Sequence, residues 1–207
     1  MQKLTDLLQY MWNQERIPQE FKDASIVHFY KQMGNQQASN NHCIISLLSI
    51  AGKILARILL IQLLVHLDQG LLPKSQWSFR QDRGKVDMIF TARQLQEKCL
   101  NVSLYTIFVD LTKAFDTVRC KGLWRIMAKF GCPKMFITRV RLFYDGMLAR
   151  VQDGKFSLPF PVANGVKQGC VLAPTQFSMM FKAMRTLFVR VILASISGSG
   201  LMEKFST

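Results

Sequence analysis

A chain of 207 residues with 49% hydrophobic content can form one large domain or two small subdomains sharing a core, which excludes an intrinsically disordered chain. Its 27 Lys+Arg against 13 Asp+Glu give a formal charge of +14, which suits a polyanionic partner better than an acidic small molecule. Ribosomal, chromatin and membrane-surface proteins carry the same excess, so charge favours nucleic acid without establishing it.

Residues 2–14 read as a short helix, and the start, MQKLTDLLQYMWNQER, is too polar for a signal peptide. A break at 16–20 (RIPQE) precedes the strand candidate ASIVHFYK, and the Asn-, Gln- and Gly-rich stretch 31–42 predicts an exposed turn. Ser49, Ala51, Gly52 and Lys53 lead into ILARILLIQLLVHL at 54–67, which stops at Asp68, Gln69 and Gly70, with Pro73 beyond. That segment carries Arg57 and His66 in a span shorter than a bilayer crossing, so it predicts a core helix and no membrane partner. The loop KSQWSFRQDRGK then sets Lys74, Arg80, Arg83 and Lys85 among Trp77 and Phe79, and a helix over 85–99 follows.

The unbroken apolar run SLYTIFVD predicts a strand buried on both faces. Helices are expected at 113–119, 121–130 and 134–148. Alternation about Asp153-Gly154 in ARVQDGKFSLPFPVANG signals a hairpin. A last helix spans 171–194, with Pro174 tolerable only in its first turn, and a small, polar tail is expected to fray. No internal repeat is visible, and interleaved strands and helices imply an α+β or mixed α/β fold.

The five cysteines form no C-x-x-C pair and lie far from the three histidines in sequence, so no zinc site is predicted. An odd count with no secretory leader points to reduced thiols in the cytoplasm or nucleus. Asp110 ends the apolar run, where α/β folds place ligand-handling groups, although a strand-end cap has the same signature. Asp116 is expected on another face as a local structural residue, capping or bridging to Arg119. In NGVKQGCVLAP, Gly165 and Gly169 would let backbone approach a ligand closely, and Gln168 offers donor and acceptor to a base or sugar edge.

FVDLTKAFDTV and NGVKQGCVLAP resemble the first and second palm motifs of reverse transcriptases from non-long-terminal-repeat (LINE-type) retrotransposons. FKDASIVHFYK, ISLLSIAGKILARILL, LLPKSQWSFRQDRGKVDMIF, ARQLQEKC, GLWRIMAKFGCP and DGMLARVQDGKFSLPFPVANGVKQG extend the resemblance over roughly residues 17–184. It implies right-hand polymerase fingers and a partial palm, helices packed on a small antiparallel sheet. The divisions would be an N-terminal helix at 1–16, a fingers-like part at 17–100, an incomplete palm-like part at 101–190 and a divergent tail at 191–207.

By the same resemblance, Asp110 and the Leu111 carbonyl would ligate Mg²⁺, Phe115 would crowd a ribose 2′-hydroxyl, and Gln168 with Gly169 would position the incoming nucleotide and template. Lys31, Lys53, Arg80 and Arg83 would face phosphates, an RNA template and a DNA primer being the implied partners. Each such base is also an ordinary solvated surface charge, and Phe115 an ordinary core residue.

The family's third palm motif supplies two consecutive aspartates, whereas the residues after Cys170 contain one carboxylate, Glu203. Cys43 stands where the family commonly has an arginine that would reach the triphosphate, a bidentate cation that a thiol does not replace, and Trp77-Ser78-Phe79-Arg80 stands where it usually has Cys-Gly-Phe-Arg, the Trp and Ser being expected to strain a tight turn. The expected function is a reverse transcriptase-like domain, catalytically inactive as it stands and binding Mg²⁺ weakly. A non-enzymatic RNA/DNA-binding module and a non-functional translated relic are the alternatives.

Overall fold

The computed structural model describes residues 2–73, 76–80, 83–101, 106 and 108–198. Chain order gives α1 (Gln2–Gln14), α2 (Gln19–Lys22), β1 (Ala24–Tyr30), β2 (His42–Leu48), α3 (Ile50–Leu67), α4 (Lys85–Lys98), α5 (Cys120–Lys129), α6 (Lys134–Leu142), β3 (Leu148–Asp153), β4 (Lys155–Phe156), β5 (Phe160–Pro161) and α7 (Ala173–Gly198).

The fold is mixed α/β, and its small sheet is mixed where the resemblance implied an antiparallel one. The order is β2-β1-β3-β4, with β5 also on β3. β1 and β2 run antiparallel from Ala24↔Leu48 to Tyr30↔His42, the exposed turn between them making a hairpin. β1 and β3 run parallel at Ala24↔Ala149, because most of the chain, α3 to α6, crosses over between them. β2 was not foreseen as a strand: HCIISLL follows a long polar stretch, and pairing with β1 fixes it. The expected hairpin turns at Gly154 (φ 69°), between Asp153 and Lys155.

Helix α3 starts at Ser49, whose hydroxyl accepts the Gly52 N–H at 3.1 Å. Leu55, Ala56, Leu59, Leu60, Leu63 and Leu67 form its buried stripe at helical spacing, so this face belongs to the core. By length and composition alone the same helix could cross a membrane. Leu123 and Met127 of α5, Val140 of α6, Phe143, Leu172 and Met179 of α7 complete the core and are almost fully buried. Helix α4 buries none of its residues, and Val86 and Phe90 are 78% and 62% exposed.

Several expected boundaries move. Residues 112–117 form turns in place of a helix, because Lys113 takes a left-handed φ of 49° that no helix interior accommodates. Helix α6 ends at Leu142, after which Phe143 to Gly146 turn towards β3, Gly146 at φ 70°. Helix α7 begins with Pro174 in its first turn, as expected, and continues past residue 194 to Gly198. The remaining tail, 199–207, lies outside the described residues.

A Cβ built on Gly52 would lie 2.7 Å from the Phe21 carbonyl oxygen, where the start of α3 meets the end of α2. Gly→Ala within a helix ordinarily stabilises by about 0.5–1 kcal/mol. Here the sign is expected to invert: Gly52→Ala should lower the stability measured by urea unfolding by about 1–3 kcal/mol, the usual range for overpacking. A rise in the unfolding midpoint would show that α2 does not press on α3.

Candidate nucleic-acid interface

Four consecutive residues of the Gly-rich motif, 165–168, join segments far apart in sequence. The Gly165 N–H donates to the Val118 carbonyl (2.8 Å) and the Val166 N–H to the Phe115 carbonyl (2.9 Å). The Gln168 carbonyl accepts the Ser46 N–H of β2 at 2.6 Å. The two glycines permit close approach of backbone to backbone. A Cβ on Gly165 (φ 91°) would sit 3.1 Å from the Asp116 carbonyl oxygen, and one on Gly169 (φ 116°) 2.4 Å from that of Ser46.

Lys167 is the functional-looking residue that sequence reasoning passed over. It is 5% exposed, and its Nζ donates to the Lys22 carbonyl (2.7 Å) and the Phe143 carbonyl (2.8 Å). The ammonium lies 5.7 Å and 5.4 Å from the ring centroids of Phe143 and Tyr144. Burial outweighs the nearby Cys170 and Asp23 and lowers its pKa to about 8. Beside it, the Tyr144 hydroxyl donates to the buried Gln176 Oε1 at 2.5 Å, and burial pushes the phenol well above its usual range. The only signal in sequence was a lysine set among apolar and small residues.

Phe115 is half-buried and stacks on Phe177 of α7, with ring centroids 4.8 Å apart and planes inclined by 20°. Phe79 meets both rings edge-on at 5.9 Å and 6.3 Å. The strain expected at Ser78 falls on Phe79, which takes a φ of 57°. Asp116 and Gln168 line a cleft of about 180 Å³ with Ser46, Asn164 and Lys167. Among the described residues no ion pair joins Asp116 to Arg119, so its backbone rather than its carboxylate has the structural role.

Asp110 is placed differently from the strand-end carboxylate expected. Residues 102–105 and 107 of the anticipated strand lie outside the described residues, and 108–110 are not in a strand. Phe108 and Val109 are 92% and 57% exposed, and no strand of the sheet comes from the described residues of this segment. Asp110 is exposed, Leu111 is half-buried, and neither lines the cleft that holds Gln168.

Among the described residues no three His, Cys, Asp or Glu side chains gather as a metal group requires. These donors do not fit a pair of divalent ions, which need several converging oxygens, and a lone carboxylate holds Mg²⁺ weakly.

Lys31 is exposed and its Nζ donates to the Asn40 carbonyl (3.3 Å), while Lys53 is exposed near the start of α3. Arg80 donates to the Pro73 carbonyl at 3.1 Å. The Arg83 guanidinium lies 5.0 Å over the Trp77 ring.

The lowered Lys167 pKa makes stability pH-dependent. An unfolded lysine titrates near 10.5, so between about 8 and 10.5 the unfolded chain binds more protons and the contribution of this group rises with pH. Below pH 8 it is constant. Burial raises the thiols of Cys120, Cys132 and Cys170, which act in the opposite sense as pH climbs past 9.0. Both forms carry those thiols, so the destabilisation of Lys167→Met relative to wild type should grow by on the order of 2–3 kcal/mol between pH 8 and 10.5. Thermal unfolding of both across that range checks it, and a pH-independent difference would contradict it.

The reverse transcriptase (RNA-dependent DNA polymerase) family matches residues 31–192. The chain is 30% identical over 173 residues to an RNA-directed DNA polymerase from the mobile element jockey of Drosophila melanogaster, covering 82% of this chain and 19% of that protein. It is 28% identical over 166 residues to a probable RNA-directed DNA polymerase from transposon BS of the same organism, covering 78% and 18%. A shorter match, 36% over 87 residues, is to a Drosophila melanogaster retrovirus-related Pol polyprotein from a type-2 retrotransposable element, covering 41% and 8%. The chain thus spans about a fifth of the length of the first two relatives. The chain belongs to the reverse transcriptase (RNA-dependent DNA polymerase) family, in its non-long-terminal-repeat retrotransposon branch.

Proposed function

We propose that these 207 residues are the fingers and first part of the palm of a LINE-type reverse transcriptase, and that they hold an RNA template and DNA primer but do not by themselves add deoxynucleotides. The observation that carries this is the mismatch between an extensive family match and an incomplete donor set. The match covers 31–192, while Asp110 stands exposed with no converging carboxylates among the described residues.

In this proposal Lys31, Lys53, Arg80 and Arg83 meet phosphates, and Gln168 and Gly169 border the nucleotide, supported by the bonding of their loop to β2. Phe115 would face the sugar from its stack on Phe177. Asp110 and the Leu111 carbonyl would be one part of a divalent-metal site. Phosphoryl transfer depends on positioning and electrostatics, so one part alone leaves the rate many orders of magnitude short. The charge of +14 supports binding independently of turnover.

Primer extension with Mg²⁺, run beside a binding titration on the same primer-template, separates the two halves of this proposal. The expected outcome is salt-dependent binding and no extension. Extension abolished by Asp110→Ala would overturn the inactivity. Absence of binding at low salt, with cooperative unfolding intact, would remove the nucleic-acid role; non-cooperative unfolding would favour a relic.

A further inference from the structure

Away from the turn at 165–168, a cleft of about 400 Å³ opens where α1, α3 and α6 meet. That volume falls within the usual range for small-ligand pockets, ~300–1,000 Å³. Leu63 of α3 and Met135 and Phe136 of α6 give it apolar walls, and Gln62 and His66 add polar groups from α3. The His66 ring is fixed, its Nε2 donating to the Phe130 carbonyl at 2.8 Å.

Arg139 is the one Arg, Lys, Asp or Glu among the described residues that line this cleft. Its guanidinium carbon lies 3.9 Å over the Trp12 ring of α1, and its Nε is buried without a hydrogen-bond partner among the described residues. Arg141, two residues on, shows the ordinary arrangement for this helix: its Nε donates to the exposed Asp145 carboxylate at 2.9 Å. Among the described residues no carboxylate pairs with Arg139 in that way.

A guanidinium seated on a ring face keeps the N–H donors at its edge free for a planar, bidentate acceptor. The indole and the burial of Nε have already removed part of its hydration, so an anion meeting its other donors is held more firmly than by a fully solvated arginine. One cation matches one carboxylate, whereas a phosphate dianion would keep uncompensated charge and a neutral apolar molecule would leave the cation unmet. A carboxylate alone fills little of the volume, and the apolar walls suit a hydrocarbon body attached to it. We infer that this cleft binds a small amphipathic monocarboxylic acid, its carboxylate on Arg139 and its hydrocarbon against Leu63, Met135 and Phe136. The site is independent of the nucleic-acid role, and a bound acid would tie α1 to α3 and α6.

The test is isothermal titration calorimetry on wild type, Arg139→Met and Met135→Trp, with 4-phenylbutyrate and octanoate as probes and 4-phenylbutanamide as the uncharged counterpart. Wild type should bind the two acids with a Kd of about 0.1–1 mM, as ligands of about ten to twelve heavy atoms commonly do. Arg139→Met should weaken both acids about tenfold or more, the loss expected of a hydrogen bond to a charged group, and the amide should bind wild type correspondingly weakly. Met135 is 58% exposed, so Met135→Trp fills the cleft without disturbing the core and should weaken the acids at least as much. Cooperative urea unfolding of each variant separates lost binding from lost folding. Failure of both acids to bind wild type at several times that concentration range would overturn the proposal. So would equal affinity for acid and amide, or unchanged acid affinity in either variant. Tighter binding of phenyl phosphate than of the acids, lost in Arg139→Met, would overturn the assignment to a carboxylate.

Discussion

Four backbone positions, Gly165 to Gln168, hold the parts of this protein together. Two N–H groups of the turn bond to residues 115 and 118, one carbonyl accepts from β2, and the Lys167 ammonium reaches the ends of α2 and α6. The cation is an unusual choice for such a junction. Its burial disfavours the charged form, yet it offers three donors from one atom and can satisfy two carbonyls that would otherwise be orphaned at helix ends. Gly165 and Gly169 make the arrangement possible because any side chain there would meet the backbone of Asp116 or Ser46.

What is fastened to that junction and what is not differ sharply. Phe115 to Val118 are fixed by it, and through the Phe115–Phe177 stack so is the first half of α7. A few residues earlier Phe108, Val109 and Asp110 are exposed. The turn at 165–168 is therefore bonded to several elements, whereas Asp110 is exposed. Binding and turnover place different demands on a polypeptide. Binding needs surface charge and rings, while turnover needs several oxygens held within a fraction of an ångström.

Much of the architecture was legible because it follows from local periodicity. The α3 stripe, the Gly154 hairpin, the Pro174 start of α7 and the extent of α4 were all written in spacing and turn chemistry. Several failures share a cause, a dependence on a partner distant in sequence, whereas the turns at 112–117 follow from the local φ of Lys113. HCIISLL becomes a strand because β1 lies beside it, and among the described residues no strand pairs with the end of the run before Asp110. The parallel pairing of β1 with β3 was invisible for the same reason. At the turn, the glycines suggested close approach of backbone, and the neighbours they admit are the backbone of Asp116 and Ser46. Lys167 was missed because its two acceptors, at residues 22 and 143, are main-chain atoms that no motif records.

Amide hydrogen exchange tests most directly whether the turn at 165–168 is the fastening point. The amides of Gly165, Val166 and Ser46 should exchange only through global unfolding, at the same opening free energy as those of Leu123 and Val140 in the core helices. Exchange orders of magnitude faster at Gly165, Val166 and Ser46, with Leu123 and Val140 still protected, would show that the segments are held together elsewhere and that the turn merely lies against them.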